Sequence, residues 1–133
     1  MGQPSRLLIV DDEPDFLESI TFWLTSKGFQ VTTVTSGADA LTLMKQKRPD
    51  AVFLDVQMPQ MDGIETLRRI RILSKELPVI LIMAGRVDEN QLAGAKALGI
   101  SGVFPKTESL DRLAQLLEVA LRAPIRSTPS RKA

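Results

Sequence analysis

The chain predicts an α/β domain, a doubly wound parallel sheet of five strands with five helices laid over both faces. Three observations predict it. Short apolar runs alternate strictly with longer segments whose apolar residues recur at helical spacing, the pattern of successive strand–helix units. The runs at residues 7–10, 51–54 and 79–83 are continuously apolar rather than alternating, which marks central strands covered on both sides. Turn and cap residues fall between the runs where helices must start and stop.

The elements follow in order. Leu7-Leu8-Ile9-Val10 forms the first strand and ends at Asp11-Asp12-Glu13. Asp12 or Glu13 can cap a first helix opened by Pro14, whose fixed φ suits the first helical position. Phe16, Leu17, Ile20, Trp23 and Leu24 give that helix an apolar face, and Gly28 closes it. The second strand, residues 31–34, mixes valine with threonine, and Ser36 precedes a helix carrying Leu41 and Met44. Ala51-Val52-Phe53-Leu54 is the third strand, closed by Asp55 and a proline-containing loop in which Met58 and Met61 read as packing residues. Asp62 precedes the third helix, with Ile64, Leu67, Ile70 and Ile72 as its apolar positions. The fourth strand, residues 79–83, leads to a helix bearing Leu92, Ala95 and Leu98 and ended by Gly99. Val103-Phe104 is a short fifth strand before Lys106, and Glu108-Ser109 starts a fifth helix with Leu110, Leu113, Leu117 and Leu121.

One domain is expected over residues 6–122, since 133 residues suffice for one core with two covering layers. Residues 1–5 and the proline- and serine-containing stretch 123–133 lack apolar pattern and read as disordered ends or linker. Arg126, Arg131 and Lys132 could touch nucleic acid, but a solvated tail is the favoured reading of that composition. The apolar fraction of 44%, the charged fraction of 25% and the net charge of +1 give no electrostatic case for direct nucleic-acid or membrane partners. Without cysteine or histidine, disulfides, thiolate metal sites, imidazole catalysis and most zinc chemistry are excluded. The N-terminus has no signal-peptide core, and the longest apolar stretch, residues 79–84, is far too short to span a bilayer. A cytoplasmic location is expected.

In a doubly wound sheet, ligands bind beyond the carboxyl ends of the strands where the winding reverses. There the first and third strands would bring Asp11, Asp12 and Asp55 together. Three carboxylates at close range either raise a pKa or bind a cation. Oxygen ligands without nitrogen or sulfur select Mg²⁺ or Mn²⁺, and Lys106 adds a compact positive charge suited to a phosphoryl oxygen. The set reads as a metal-assisted phosphoryl site in which one carboxylate can act as nucleophile. Each residue alone has an ordinary reading: a helix cap for Asp11-Asp12, a turn cap for Asp55, a solvated lysine for Lys106. Their combination on successive strand ends is what points to chemistry.

With those residues in place, the chain resembles the receiver domains of two-component response regulators. The likeness is carried by Leu8-Ile9-Val10-Asp11-Asp12-Glu13, by Asp55-Val56-Gln57-Met58-Pro59-Gln60-Met61-Asp62-Gly63, by Pro78-Val79-Ile80 and by Lys106. The resemblance implies a flavodoxin-like fold with strand order 2-1-3-4-5. It also implies that Asp55 accepts a phosphoryl group from a histidine kinase, a phosphotransfer protein or a small phosphodonor. Asp11, Asp12 and Asp55, with the backbone carbonyl of Gln57, would hold Mg²⁺, and Lys106 would pair with Asp55 and then with the phosphoryl group. Such a domain is not an enzyme beyond its own phosphorylation and slow dephosphorylation. It passes its state to a downstream protein or an output domain. The face formed by the fourth helix, fifth strand and fifth helix is where a homodimer would form.

The chain departs from the family at its switch positions. The hydroxyl residue usual at the end of the fourth strand is replaced by Met83, and the usual aromatic of the fifth strand corresponds to Val103. A thioether cannot donate a hydrogen bond, and a β-branched side chain cannot make a large rotation. Phe104, adjacent to Val103, should face the other side of the sheet. The family's proline often follows the lysine; here Thr107 does, and Pro105 before it is expected trans. An alternative is therefore an interaction module that works without phosphorylation. A phosphohydrolase is weakly supported, because Gln57 stands where aspartyl phosphatases place a second acid and no glycine-rich phosphate loop is present.

Overall fold

The computed structural model describes residues 5–57, 63–85 and 88–122. Asp62, Met58, Met61 and the tail 123–133 lie outside these residues. The described chain alternates five strands and five helices: β1 Arg6–Val10, α1 Pro14–Ser26, β2 Gln30–Val34, α2 Gly37–Gln46, β3 Ala51–Asp55, α3 Gly63–Leu73, β4 Val79–Met83, α4 Glu89–Leu98, β5 Gly102–Pro105 and α5 Leu110–Arg122. The strands form one parallel sheet in the order β2-β1-β3-β4-β5.

Strand composition explains the positions in that order. β3 and β4 are buried along their whole length, as strands with helices on both faces must be. β2 lies at an edge, and its threonines Thr32 and Thr33 are exposed. Side chains alternate between the faces. Leu8, Val10, Val52, Leu54, Val79 and Leu81 join Ala40 and Met44 of α2, Leu67 and Ile70 of α3 and Ala95 of α4 in one core. Leu7, Ile9, Phe53, Ile80, Ile82 and Phe104 join Leu17, Ile20 and Leu24 of α1 and Leu113, Leu117 and Ala120 of α5 in the other. Truncating a side chain such as Phe53, 1% exposed, should cost about 3–5 kcal/mol through lost transfer energy and the cavity left behind.

Local signals set most helix ends. Ser36 caps α2, its hydroxyl accepting from the Asp39 N–H at 3.1 Å. Asp88 caps α4, accepting from the Asn90 and Gln91 N–H groups at 2.8 and 3.2 Å. Pro14 opens α1, but Glu13 in the cap position makes no side-chain capping bond; its carboxylate is engaged elsewhere. Gly99 ends α4 at φ 101°, a conformation that glycine adopts without strain.

One expectation fails in α3. Ile72 is 79% exposed, and Arg71 is the buried neighbour at 7%. The Arg71 guanidinium donates to the Gly99 carbonyl from Nε at 3.2 Å and from Nη2 at 2.8 Å, and to the Ser74 carbonyl at 3.0 Å. These bonds tie the end of α3 to the end of α4, where a cation also complements the helix dipole. Burial of the guanidinium pulls its pKa down from the usual value.

Candidate functional site

The order β2-β1-β3-β4-β5 reverses winding between β1 and β3, so a crevice opens at their carboxyl ends. Val10 pairs with Leu54 in the ladder, and the next residue on each strand is Asp11 and Asp55. Both are buried, at 0% and 3% exposure. Asp12 is exposed at the rim. One carboxylate oxygen from each of Asp11, Asp12 and Asp55 lies within 4.8 Å of the others.

Backbone donors fix the two buried acids. Asp11 Oδ1 accepts from the Glu13 N–H and Asp55 Oδ1 from the Gln57 N–H, each at 2.9 Å. The start of α3 lies close to the same strand end: the Gly63 N–H donates to the Val56 carbonyl at 3.3 Å. A Cβ at Gly63 would sit 2.4 Å from the Asp55 carbonyl oxygen, so any side chain there would displace the acidic strand end.

Lys106 arrives from the end of β5, its N–H bonded to the Met83 carbonyl at 2.8 Å. Its Nζ lies 2.8 Å from Asp11 Oδ2 and 3.9 Å from Asp55 Oδ2, and it forms a close ion pair with Glu13 Oε1. The buried Asp11 Oδ2 is paired with the ammonium. The expected pairing of Lys106 with Asp55 is thus the longest of its three carboxylate contacts.

The electrostatics follow from burial and charge. Desolvation is the main cause that raises the Asp55 carboxyl from its ordinary 3.8 to about 6. The Gln57 N–H opposes it, the Asp11 charge adds to it and Lys106 offsets part. For Lys106, burial lowers the pKa, but the Asp11, Glu13 and Asp55 carboxylates outweigh it and the net direction is up. Three acids, Asp11, Glu13 and Asp55, face one ammonium, with Asp12 at the rim. A cluster of this charge, made only of oxygen donors and with three carboxylates within 4.8 Å of one another, fits a hard divalent cation.

Met83 and Val103 both pack inside. Met83, 3% exposed, belongs to the core beneath α2, α3 and α4, and Val103 packs against the same cluster. Phe104 is fully buried on the opposite face, and the bond before Pro105 is trans. The site is defined by charge rather than by volume. An open groove of about 540 Å³ beside α1 and β2, lined by Leu17, Thr21, Phe22 and Thr33, has Glu18 as its one ionisable lining residue.

Sequence reasoning brought Asp11, Asp12, Asp55 and Lys106 to one place, and the structure does so too. It missed Glu13 as a partner of Lys106, a contact across 93 residues of chain that no local pattern signals.

Known proteins bear on this geometry. The family model "Response regulator receiver domain" matches residues 7–118. Response regulator MprA of Mycolicibacterium vanbaalenii is 36% identical over 126 residues, covering 95% of this chain and 53% of its own length. Transcriptional regulatory protein PrrA of Mycobacterium tuberculosis is 34% identical over 117 residues, covering 88% and 50%. The chain therefore spans about half the length of these curated relatives. Among solved structures, the receiver domain of NtrX from Brucella abortus superposes with a TM-score of 0.80 at 30% identity, covering 87% of this chain and 98% of that one. The chain belongs to the response regulator receiver family of two-component systems.

Proposed function

We propose that this receiver domain accepts a phosphoryl group on Asp55 from the phosphohistidine of a partner kinase or phosphotransfer protein. The observation that carries the reading is the convergence of Asp11, Asp12 and Asp55 within 4.8 Å, with the Lys106 ammonium beside them. An Asp55 carboxylate oxygen attacks phosphorus and forms the new O–P bond while the P–N bond to the donor breaks. The imidazole leaves with the electron pair. Water attack on the resulting acyl phosphate returns Asp55 and inorganic phosphate, which limits the lifetime of the signal.

The residues divide the work. Asp11, Asp12 and Asp55, with the Gln57 carbonyl, would hold Mg²⁺ or Mn²⁺; the bound cation supplies charge neutralisation for phosphoryl oxygens. The Gln57 N–H holds Asp55 Oδ1, which leaves Oδ2 as the free nucleophilic oxygen. Lys106, 3.9 Å from that oxygen, supplies positive charge where the phosphoryl group arrives. The domain is not an enzyme on external substrates.

The readout is altered. Met83 and Val103 fill the positions of the family's moving hydroxyl and aromatic, and both pack in the core. This favours one second reading: a receiver-like interaction module whose binding does not depend on phosphorylation. It predicts that Asp55→Asn leaves partner binding intact. The name of the transcriptional regulatory protein PrrA and the chain's span of about half its relatives' length support a downstream role in a transcriptional regulator with an output domain, and the α4–β5–α5 face is the surface proposed for a homodimer. Beryllofluoride with Mg²⁺ tests the leading reading through amide-shift mapping. Shifts centred on Asp11, Asp55 and Lys106 support it, and an unchanged spectrum at saturation sinks it.

A further inference from the structure

Lys106 enters the acidic pocket, yet the acid it is meant to serve is its most distant carboxylate partner. Its Nζ is ion-paired with Glu13, lies 2.8 Å from Asp11 and sits 3.9 Å from Asp55. It also lies 4.5 Å from the centroid of the Phe16 ring, within range of an attractive cation–π contact. Glu13 and Phe16 flank the start of α1. Glu13 occupies the cap position of that helix without capping it, and its own N–H is tied to Asp11 Oδ1 at 2.9 Å. Its backbone is fixed by the pocket, and its carboxylate is given to Lys106 rather than to its helix.

We propose that Glu13 is a positioning residue that anchors Lys106 at the α1 side of the pocket in the resting state and competes with the phosphoryl group on Asp55 for the same ammonium. The inference rests on the phosphoacceptor reading above. The ammonium has three donors and a compact charge, so it can serve two carboxylates at once but favours the densest negative charge near it. Asp11 is fully buried and Glu13 is 59% exposed. Solvent screens the Glu13 contact and leaves the Asp11 contact strong. Glu13 is therefore the releasable partner: when Asp55 carries roughly two negative charges, Lys106 leaves Glu13 and keeps Asp11. Glu13 sets how readily that exchange occurs.

The test uses the full chain as wild type, Glu13→Gln and Glu13→Asp. The first readout is hydrogen exchange of the ¹⁵N-labelled Lys106 ammonium without phosphodonor. The second is the rate of adduct formation with acetyl phosphate and Mg²⁺, followed by intact mass. Because the Glu13 side chain caps nothing, Glu13→Gln should fold as wild type does. The expected result is Lys106 ammonium exchange and adduct formation both faster by about two- to fivefold in Glu13→Gln, the range of a partly exposed ion pair. Glu13→Asp, which keeps the charge, should return both toward wild type. An adduct that forms at the wild-type rate in Glu13→Gln, or an unchanged ammonium signal, overturns the positioning role alone. A wild-type chain that forms no adduct overturns the phosphoacceptor reading and the competition together.

Discussion

Replacing Asp55 by asparagine should make the cation-free protein more stable at neutral pH, although it deletes the proposed phosphoacceptor. Folding moves the Asp55 carboxyl from its ordinary 3.8 to about 6, chiefly by burial. At 1.36 kcal/mol per pH unit, its ionised form is disfavoured by roughly 3 kcal/mol. Water at the open mouth of the pocket screens the group and lowers the effective penalty to about 1–2 kcal/mol. The folded state holds the proton up to about pH 6 and the unfolded chain only to about 3.8. Between those values the folded state binds more protons, and stability falls as pH rises. Asparagine carries no charge, and its side-chain carbonyl can still accept from the Gln57 N–H. Its advantage should be near zero below pH 4, grow through pH 4–6 and level off above pH 7. At that plateau the gain corresponds to roughly 4–8 °C in Tm for a domain of this size. Thermal and urea unfolding of both proteins in EDTA, from pH 4 to 8, measures it. A mutant no more stable than wild type at pH 7.5, or a gain that does not shrink toward pH 4, would refute the reasoning.

Other outcomes follow from the same geometry. Mg²⁺ at a hundredfold excess over its Kd should stabilise the wild type by about 2.7 kcal/mol. Asp11→Asn should lose most of that gain, as read by melting with and without EDTA. Arg71→Met removes the donors to the Gly99 and Ser74 carbonyls; urea unfolding should show a loss of about 2–3 kcal/mol, with faster amide exchange where α3 meets α4. Met83→Thr restores a hydroxyl at the end of β4, and a hydrogen bond to a charged group is worth about 1.5–3 kcal/mol. Beryllofluoride should then shift amides across α4 and β5 more in the mutant than in wild type; equal shifts would remove Met83 as a reason for the proposed change in readout.

The legible part of the fold was the part set by burial. Unbroken apolar runs such as residues 79–83 could be satisfied only by central strands. The meeting of the charged residues was legible for the same reason, because strand ends in this topology converge and Asp11, Asp55 and Lys106 each close a strand. What stayed hidden depends on partners distant in sequence. Helical spacing treats Ile72 as an apolar position, yet the buried side chain is Arg71, because the Gly99 carbonyl at the end of α4 supplies its acceptor. Glu13 has the local look of a cap beside Pro14, and only the fold reveals that Lys106 claims it. Asp88 is an ordinary cap that the sequence reading passed over, since the residues before α4 carry little apolar pattern to mark a helix start.

The most direct measurement is the intact mass of the protein after incubation with acetyl phosphate and Mg²⁺, with the modified residue mapped and Asp55→Asn run in parallel. One phosphoryl group on Asp55, absent in the mutant and lost slowly by hydrolysis, is the predicted result. An unmodified wild type, or a modification that persists in Asp55→Asn, would contradict the assignment of Asp55 as the acceptor.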